Sequence, residues 1–502
     1  MWRRYERVAA LAACAVVAVL VSRHVLRRDV FSDDAFVHQY WMWQFRDPEL
    51  FRDALTEQLR ESARYPPGYV GLFWLASHIA GPIAFGEWLG VALMAVSGFL
   101  VFLVVRDHTD WRPAAWIGAA LFLALIDIHR FHGGFPRAFV HPVVLLTVLL
   151  AMRRRHAAAA AVAAGGALFY PTAAILAVGV LLLTALKDRR RWAYAGAAFA
   201  AMVAIVLASG GAPAVLTETE ARGYAEFGRD GPLHFFVPST LTYLTQNRSG
   251  FDLRFAGMLL GAVAVVLLVV PGNLRRIRHE VLALPVVAIG GWAAAQLVLF
   301  RLYLPHRYTY PLVAFFAIAI AVTLRPTLRA PAAAIATALA LLAVVAADQR
   351  GGLERGSACP GRSASAFLST LPKDAVIAGD PIDLKCVPGT ARRAVVTSIQ
   401  LAPSYERDAF LDGRERMFAT LRAVYGPSPD AIAALADRYG ATHLWVRRSG
   451  AERWMRRREP YGSYVRRLRS EGERAALRLP SACRRWQGEA GAFYEIACVR
   501  VP

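Results

Sequence analysis

Eleven apolar windows leave this chain few folds to choose from. They fall near residues 8–22, 67–84, 86–105, 114–128, 138–152, 157–186, 192–209, 255–271, 281–300, 308–324 and 330–347. A helix needs about 20 apolar residues to cross about 30 Å of hydrocarbon. All but one of the windows come near that length. With 56% hydrophobic and only 19% charged residues, the 502-residue chain reads as a polytopic, mainly α membrane protein with about eleven transmembrane helices. Its net charge of +21 sits largely in short arginine clusters between the apolar runs: Arg153–Arg155, Arg189–Arg191, and Arg275, Arg276 and Arg278. That is the pattern of cytoplasmic loops, so nucleic acid is excluded as a partner.

The window 157–186 is too long for one span and short for two, and Pro171 interrupts it. Both its flanks, RRRH and KDRRR, are cationic, which predicts a short helical hairpin with both ends cytoplasmic. Counting outward places 210–254 outside, LRRIR inside, RLYLPHRY outside, LRPTLR inside, and everything after about residue 347 outside. Counting back places HRFHGGFPR outside and RDHTDWR inside. The N-terminal MWRR inside puts the loop 23–66 outside. The two counts meet one crossing short, which makes 67–84 a re-entrant or interfacial segment. MWRRYER and the run after it form an uncleaved first span, because the apolar stretch before the lipoprotein-like box Leu11-Ala12-Ala13-Cys14 is too short and continues past it. Residues 46–64 carry Leu50, Phe51, Leu55 and Leu59 at helical spacing, as an amphipathic helix lying along the outer membrane face would.

The chain therefore divides into a membrane domain, 1–348, and a polar extracytoplasmic domain, 349–502. In the second, AFLSTLPKDAVIAGDP reads as helix, turn and strand, and RRAVVTSI as a strand. Ser428-Pro429-Asp430 opens a helix that ends at Gly440, and THLWV and AFYEIACVRV read as further strands. This is a small α/β domain with no glycine fingerprint or P-loop. Cys359, Cys386, Cys483 and Cys498 all lie in it, as disulfides of an oxidising compartment would. Three pairings are open, of which 359 with 386 and 483 with 498 is the most local.

Polar residues that are unusual for their place collect on the outer side. Ser32-Asp33-Asp34-Ala35-Phe36 opens the first outer loop among aromatic residues, where desolvation raises a carboxyl pKa and suits a general base. Such a pair also binds divalent metal (Mg, Mn or Ca). Ser32 or Asp33 alternatively caps the helix that follows. His38 lies one turn beyond Asp34, and His129, Arg130 and His132 lie in a second outer loop. Arg137, in HGGFPRAF, and His306, Arg307, Tyr308 and Tyr310, in YLPHRYTYP, supply cationic and aromatic groups where positive-inside bias least expects arginine. Arg307 is the sharpest candidate for holding a phosphate. Glu218 and Glu220 read as a solvated loop.

With its first span, acidic outer loop, interfacial segment ending in Tyr65-Pro66-Pro67-Gly68, many spans and outer C-terminal domain, the chain resembles the GT-C superfamily of integral-membrane glycosyltransferases. FRDPELF, YPPGY, GGFPRAF, ALFYPTA and LYLPHRYTYP look like bacterial members of that general type. The resemblance implies an inverting hexosyl or pentosyl transfer from a polyprenyl-phosphate sugar donor to an envelope acceptor, at the outer face of a bacterial inner membrane with the N-terminus cytoplasmic. Asp33 or Asp34 would be base or metal ligand, with Arg307, His306 and Arg137 on the departing lipid phosphate. The contiguous acids depart from the spaced D-x-D or E-x-D of some families, which puts metal dependence in question. The rivals are a transporter or flippase of lipid-linked substrates, which keeps ionisable residues near mid-bilayer, and a noncatalytic lipid-binding subunit on the same fold.

Overall fold

The computed structural model describes residues 2–27, 30–32, 34–63, 65–186, 188–210, 214–246, 248–251, 255–324, 353–355, 361–399, 401, 405–426, 428–448, 457–472 and 479–499. Asp33, Cys359 and the window 330–347 lie outside them. The membrane body is built from α1 (Trp2–Val21), α2 (Ala54–Ala63), α3 (Pro67–Ser77), α4 (Pro82–His108), α5 (Arg112–Leu125), α6 (Val140–Met152), α7 (His156–Gly165), α8 (Pro171–Ala185), α9 (Arg189–Ala208), α10 (Phe255–Val269), α11 (His279–Leu297) and α12 (Pro311–Thr323). Among the described residues three helices are long and apolar enough to cross a membrane, or four if the sharply bent pair beginning with α5 is one span. About eleven spans are therefore not confirmed among the described residues. Several windows fold instead as apolar helices of 10–17 residues.

Helix α3 has 11 residues, a rise of about 16 Å, and is too short to cross. Helix α4, with 27 residues, reaches about 40 Å. Of the window 67–84, then, only this short helix and the first residues of α4 are helical. The hairpin is also present: α7 and α8 are joined by a 3-10 turn, Gly166–Leu168, and Pro171 starts α8, where its missing N–H costs nothing.

Charged residues sort to the two ends of the body. At one end Arg106 pairs with Glu6 at 3.7 Å, Arg153 with Asp107 at 2.6 Å, and Arg191 with Glu280 at 3.8 Å. There Arg278 donates to the Met152 carbonyl, and the His108 ring accepts from its backbone N–H. The clusters expected on the cytoplasmic side are therefore neighbours. The other end holds Asp34, Arg137, Arg248 and Arg307.

The C-terminal domain contains α13 (Arg362–Thr370), α14 (Arg407–Tyr425), α15 (Pro429–Tyr439), α16 (Tyr461–Gly472) and a five-stranded sheet. Its strands are β3 (Val376–Ala378), β4 (Ala394–Val395), β5 (Ala441–Arg447), β6 (Arg484–Gln487) and β7 (Gly491–Glu495), in the order β4-β3-β5-β7-β6. β3 runs parallel to β4 and β5, while β7 is antiparallel to β5 and β6. Helix α15 has the expected ends: Ser428 Oγ accepts from Ala431 N–H at 3.1 Å, and Gly440 is left-handed at φ +68°. The last expected strand stops at Glu495, and Ile496–Val499 is a helical turn. That turn buries Ile496 and brings Cys498 to Cys483, with Cα atoms 5.4 Å apart, in a disulfide. Cys386 is disulfide-bonded too. The Cys359 half of the expected pairing lies outside the described residues.

This domain is seated directly on the loop that carries Asp34. β1 (Val30–Ser32) pairs antiparallel with β2 (Leu353–Arg355), so the segment leading into Asp34 is hydrogen-bonded to the start of the domain. Phe36 is buried with Ala35, Ile83, Phe135 and Cys386, and a Cβ on Gly389 would come within 2.2 Å of its ring. Leu50, Phe51 and Leu55 are buried in one cluster with Tyr40, Trp41, Tyr69, Phe73 and the domain core around Trp445. The apolar side of 46–64 therefore faces protein rather than lipid. Each such side chain contributes about 1.5–3 kcal/mol on burial. The pairs of Lys373 with Asp47 and Glu49 are exposed, and solvent screens them. Apolar burial therefore dominates the docking.

Candidate active site

Asp34 is the N-cap residue of a four-residue helical turn, Ala35–His38, and its side chain makes no capping bond. Ser32 is not the cap either, since it stands two residues before the N-cap position, in β-strand pairing, and its N–H donates to Glu87 Oε1 at 3.0 Å. The Asp34 carboxylate instead receives Arg137 Nη1 at 2.6 Å, a charge-assisted contact between two loops about a hundred residues apart. Burial pushes this carboxyl up, but Arg137, by charge and hydrogen bond, with His38 and Arg307, outweighs it and holds the group down at about 2. The expectation that desolvation raises this pKa is therefore not met. The guanidinium supplies the larger effect.

The segment bearing Arg137 is held by its glycines. Gly133 and Gly134 have φ of +75° and +57°, conformations that favour glycine. A Cβ on Gly134 would lie 2.6 Å from the Gly86 carbonyl oxygen, and one on Gly90 would lie 2.0 Å from the Phe131 oxygen. HGGFPR thus lies flat on α4 through two glycine contacts. Gly68 has a similar reason: its absent Cβ admits Leu168 of the hairpin tip. Beside it Phe169 stacks on Phe139 at 4.7 Å. The tip of the hairpin therefore reaches the underside of the site.

Arg307 lies in the 3-10 turn Pro305–Thr309, within 6.0 Å of two rings: Tyr303 at 5.6 Å and Tyr310 at 5.9 Å. Among the described residues it makes no ion pair, and its buried Nε has no hydrogen-bond acceptor. Tyr170, at the hairpin tip, has a buried hydroxyl that is likewise unpartnered, and it lies close enough to Arg307 for the two groups to interact. Buried polar groups are ordinarily satisfied. Arg248 donates to Tyr405 Oη at 2.7 Å, and Asp34 lies close enough for its charge to act on it. Arg130 packs 3.9 Å over the Tyr310 ring.

The remaining expected residues divide. His38 Nδ1 hydrogen-bonds Tyr65 Oη at 2.8 Å, which gives the Tyr65-Pro66-Pro67-Gly68 motif a place beside Asp34. Burial holds its imidazole down at about 4, so it is neutral at pH 7. His306 is buried and bonds the Arg248 carbonyl at 3.1 Å and Tyr310 Oη at 3.3 Å. Tyr308 packs in the core, where a Cβ on Gly291 would meet its ring at 2.6 Å, and its hydroxyl donates to the Leu302 carbonyl. Glu220 completes a capping box with Thr217 and pairs with Arg407, while Glu218 pairs with Arg222. Both are structural.

The described donors do not fit a divalent metal. Asp34 is in contact with one guanidinium and within the field of two others, and no group of three potential metal-ligating residues occurs among the described residues. The site is electropositive. It suits an anion.

Sequence reasoning missed Arg248, Tyr170 and Glu87. Arg248 sits in a polar loop with no motif, and Tyr170 looked like part of a helix break. Glu87 is a lone acid inside an apolar run, and that solitary charge was the available signal.

A helical body thus carries a small mixed-sheet domain closed over a loop carboxylate. The solved structures that resemble this chain include ArnT from Cupriavidus metallidurans in the apo state (14% identity, TM-score 0.54, 99% of each chain covered). The same protein bound to undecaprenyl phosphate gives 16% identity and a TM-score of 0.51 over 89% of this chain and 96% of that one. The oligosaccharyltransferase of Archaeoglobus fulgidus, tethered to an acceptor peptide, gives 14% and 0.50 over 89% and 69%. At these identities the likeness establishes the fold, in agreement with the resemblance read from the sequence. No protein-family model and no curated protein matches the chain.

Proposed function

We propose that this protein is a membrane glycosyltransferase that moves a sugar from a polyprenyl-phosphate donor to an extracytoplasmic acceptor. The observation that carries the reading is the pair of unsatisfied buried polar groups, Arg307 Nε and Tyr170 Oη, in an electropositive site around one carboxylate. A lipid phosphate supplies oxygens to both. The ArnT structure of the same fold is bound to undecaprenyl phosphate, a ligand of this class.

In the reaction the acceptor oxygen attacks the anomeric carbon, the bond from that carbon to the phosphate oxygen breaks, and the acceptor proton passes to Asp34. A single displacement inverts the anomeric centre. Negative charge grows on the leaving phosphate, where Arg307 and Arg137 are already in place. A carboxylate held near 2 takes a proton poorly in the resting site. The incoming phosphate shares Arg137 with Asp34, which weakens that hold when a base is needed. The outer face of a bacterial inner membrane is the expected location, with the C-terminal domain outside and the acceptor an envelope component.

Asp34→Asn is expected to abolish transfer in membranes while expression persists, by the 10²–10⁴-fold or so typical of a lost general base. Full transfer by both Asp33→Asn and Asp34→Asn would remove the assignment.

A further inference from the structure

The Asp34–Arg137 contact joins two loops that share no backbone hydrogen bond with each other through the described residues flanking it. Something else must set their separation. Glu87, one turn into α4 and 4% exposed, does so with both oxygens: Oε1 accepts Ser32 N–H at 3.0 Å, and Oε2 accepts Gly133 N–H at 2.9 Å. Ser32 stands two residues before Asp34, and Gly133 four before Arg137. One carboxylate therefore fixes the loop that carries the acid and the loop that carries its cation.

The surroundings are built for this. Gly86 and Gly90, on either side of Glu87 in GEWLG, are the positions where a Cβ would collide with the 131–134 segment. Gln39, in the loop that carries Asp34, donates to the Gly133 carbonyl and, at 3.2 Å, to Tyr69 Oη, so Gly133 is held at its N–H by Glu87 and at its carbonyl by the acid-bearing loop itself. Burying a carboxylate in an apolar helix costs several kcal/mol, and a purely structural position is better served by an uncharged side chain.

We infer that Glu87 is a positioning residue that registers Asp34 against Arg137 by accepting one backbone N–H from each loop. The inference rests on the reading of Asp34 as the acid of the site. Glu87→Gln keeps the shape but turns an NH₂ group toward one of the two N–H donors. It is expected to lower kcat by roughly ten- to a hundredfold, the scale of a small misplacement of reacting groups. The donor KM should change less than kcat, because Arg307, on neither loop, still holds the phosphate while only Arg137 is displaced. The thermal midpoint should hold or rise.

Two further readouts separate positioning from folding. Cysteines placed at 34 and 137 should cross-link with a short bis-thiosulfonate reagent in membranes, and less so when Glu87→Gln is added. In an Arg137→Gln background Glu87→Gln should cost no further activity, because the contact it registers is already absent. Should Glu87→Gln fail to accumulate, Glu87→Asp retains the charge but is too short to reach both donors, and the same loss is expected. Wild-type kcat with unchanged cross-linking in either variant overturns the inference. Full transfer by Asp34→Asn would instead overturn the reading of Asp34, and the cross-linking would still report on the clamp.

Discussion

At Asp34 two opposing effects are resolved by one neighbour. Burial favours the neutral acid, and Arg137 at 2.6 Å reverses this, so the carboxylate stays ionised down to about pH 2. Asp34 in the free enzyme therefore contributes no acid limb to kcat/KM between pH 5 and 8. Replacing Arg137 by Gln removes the strongest stabiliser of the charged form and leaves burial unopposed, so an acid limb should move up into the measurable range. A pH–rate profile of that variant checks the sign; a limb that stays put would show that Arg137 does not govern Asp34. Arg307→Gln removes a donor to the phosphate and is expected to raise donor KM about 10–100-fold, the worth of about 1.5–3 kcal/mol for a hydrogen bond to a charged group. Asp34, Arg137 and Arg307 were legible in the sequence because they stand against a rule: an acid among aromatics, and arginines on the side that lacks them. Tyr308 was not distinguishable from Tyr303 or Tyr310, since the place of its ring in the core depends on Gly291, more than a dozen residues away on another helix.

Among the elements, the ones read correctly carry their own punctuation. Helix α15 begins at Ser428-Pro429 and ends at Gly440 for local reasons, and the hairpin is broken by Pro171. Elements whose form depends on tertiary partners were not legible in this way. The segment 46–64 has an amphipathic pattern, but the pattern cannot say whether lipid or a folded domain covers its apolar side. IACV has β-branched and apolar residues suited to a strand, and the disulfide partner of Cys498 bends it into a helical turn. The close glycine contacts give a direct test. Gly134→Ala combines φ +57° with a 2.6 Å approach to the Gly86 oxygen, and should destabilise by about 1–3 kcal/mol. Thermal unfolding in detergent measures it; Gly165→Ala, where a Cβ meets nothing, is the control and should be near neutral.

For the whole molecule, the partition of charge between the two ends is the feature that sequence and structure share most fully. The arginine clusters assigned to the cytoplasm meet one another in space, and Arg137, Arg307 and His38, assigned outside, meet around Asp34. Cysteines placed in the 153–155 cluster and at Lys373 should accordingly react with impermeant thiol reagents from opposite sides of the membrane. Labelling of both from one side would break the topology. The C-terminal domain, read only as a separate unit, proves to cap the acidic loop through β1–β2 and Phe36. Nothing in its own sequence announces that contact, because the partners lie more than 300 residues apart. The account as a whole turns on whether this site cleaves a polyprenyl-phosphate sugar. Purified protein in lipid nanodiscs, given such donors and followed for release of free polyprenyl phosphate, tests that directly. Release by the wild-type protein that disappears in Asp34→Asn while donor binding persists is the predicted result; equal release by the two proteins, or binding by the wild type with no donor consumed in the presence of envelope acceptors, would contradict it.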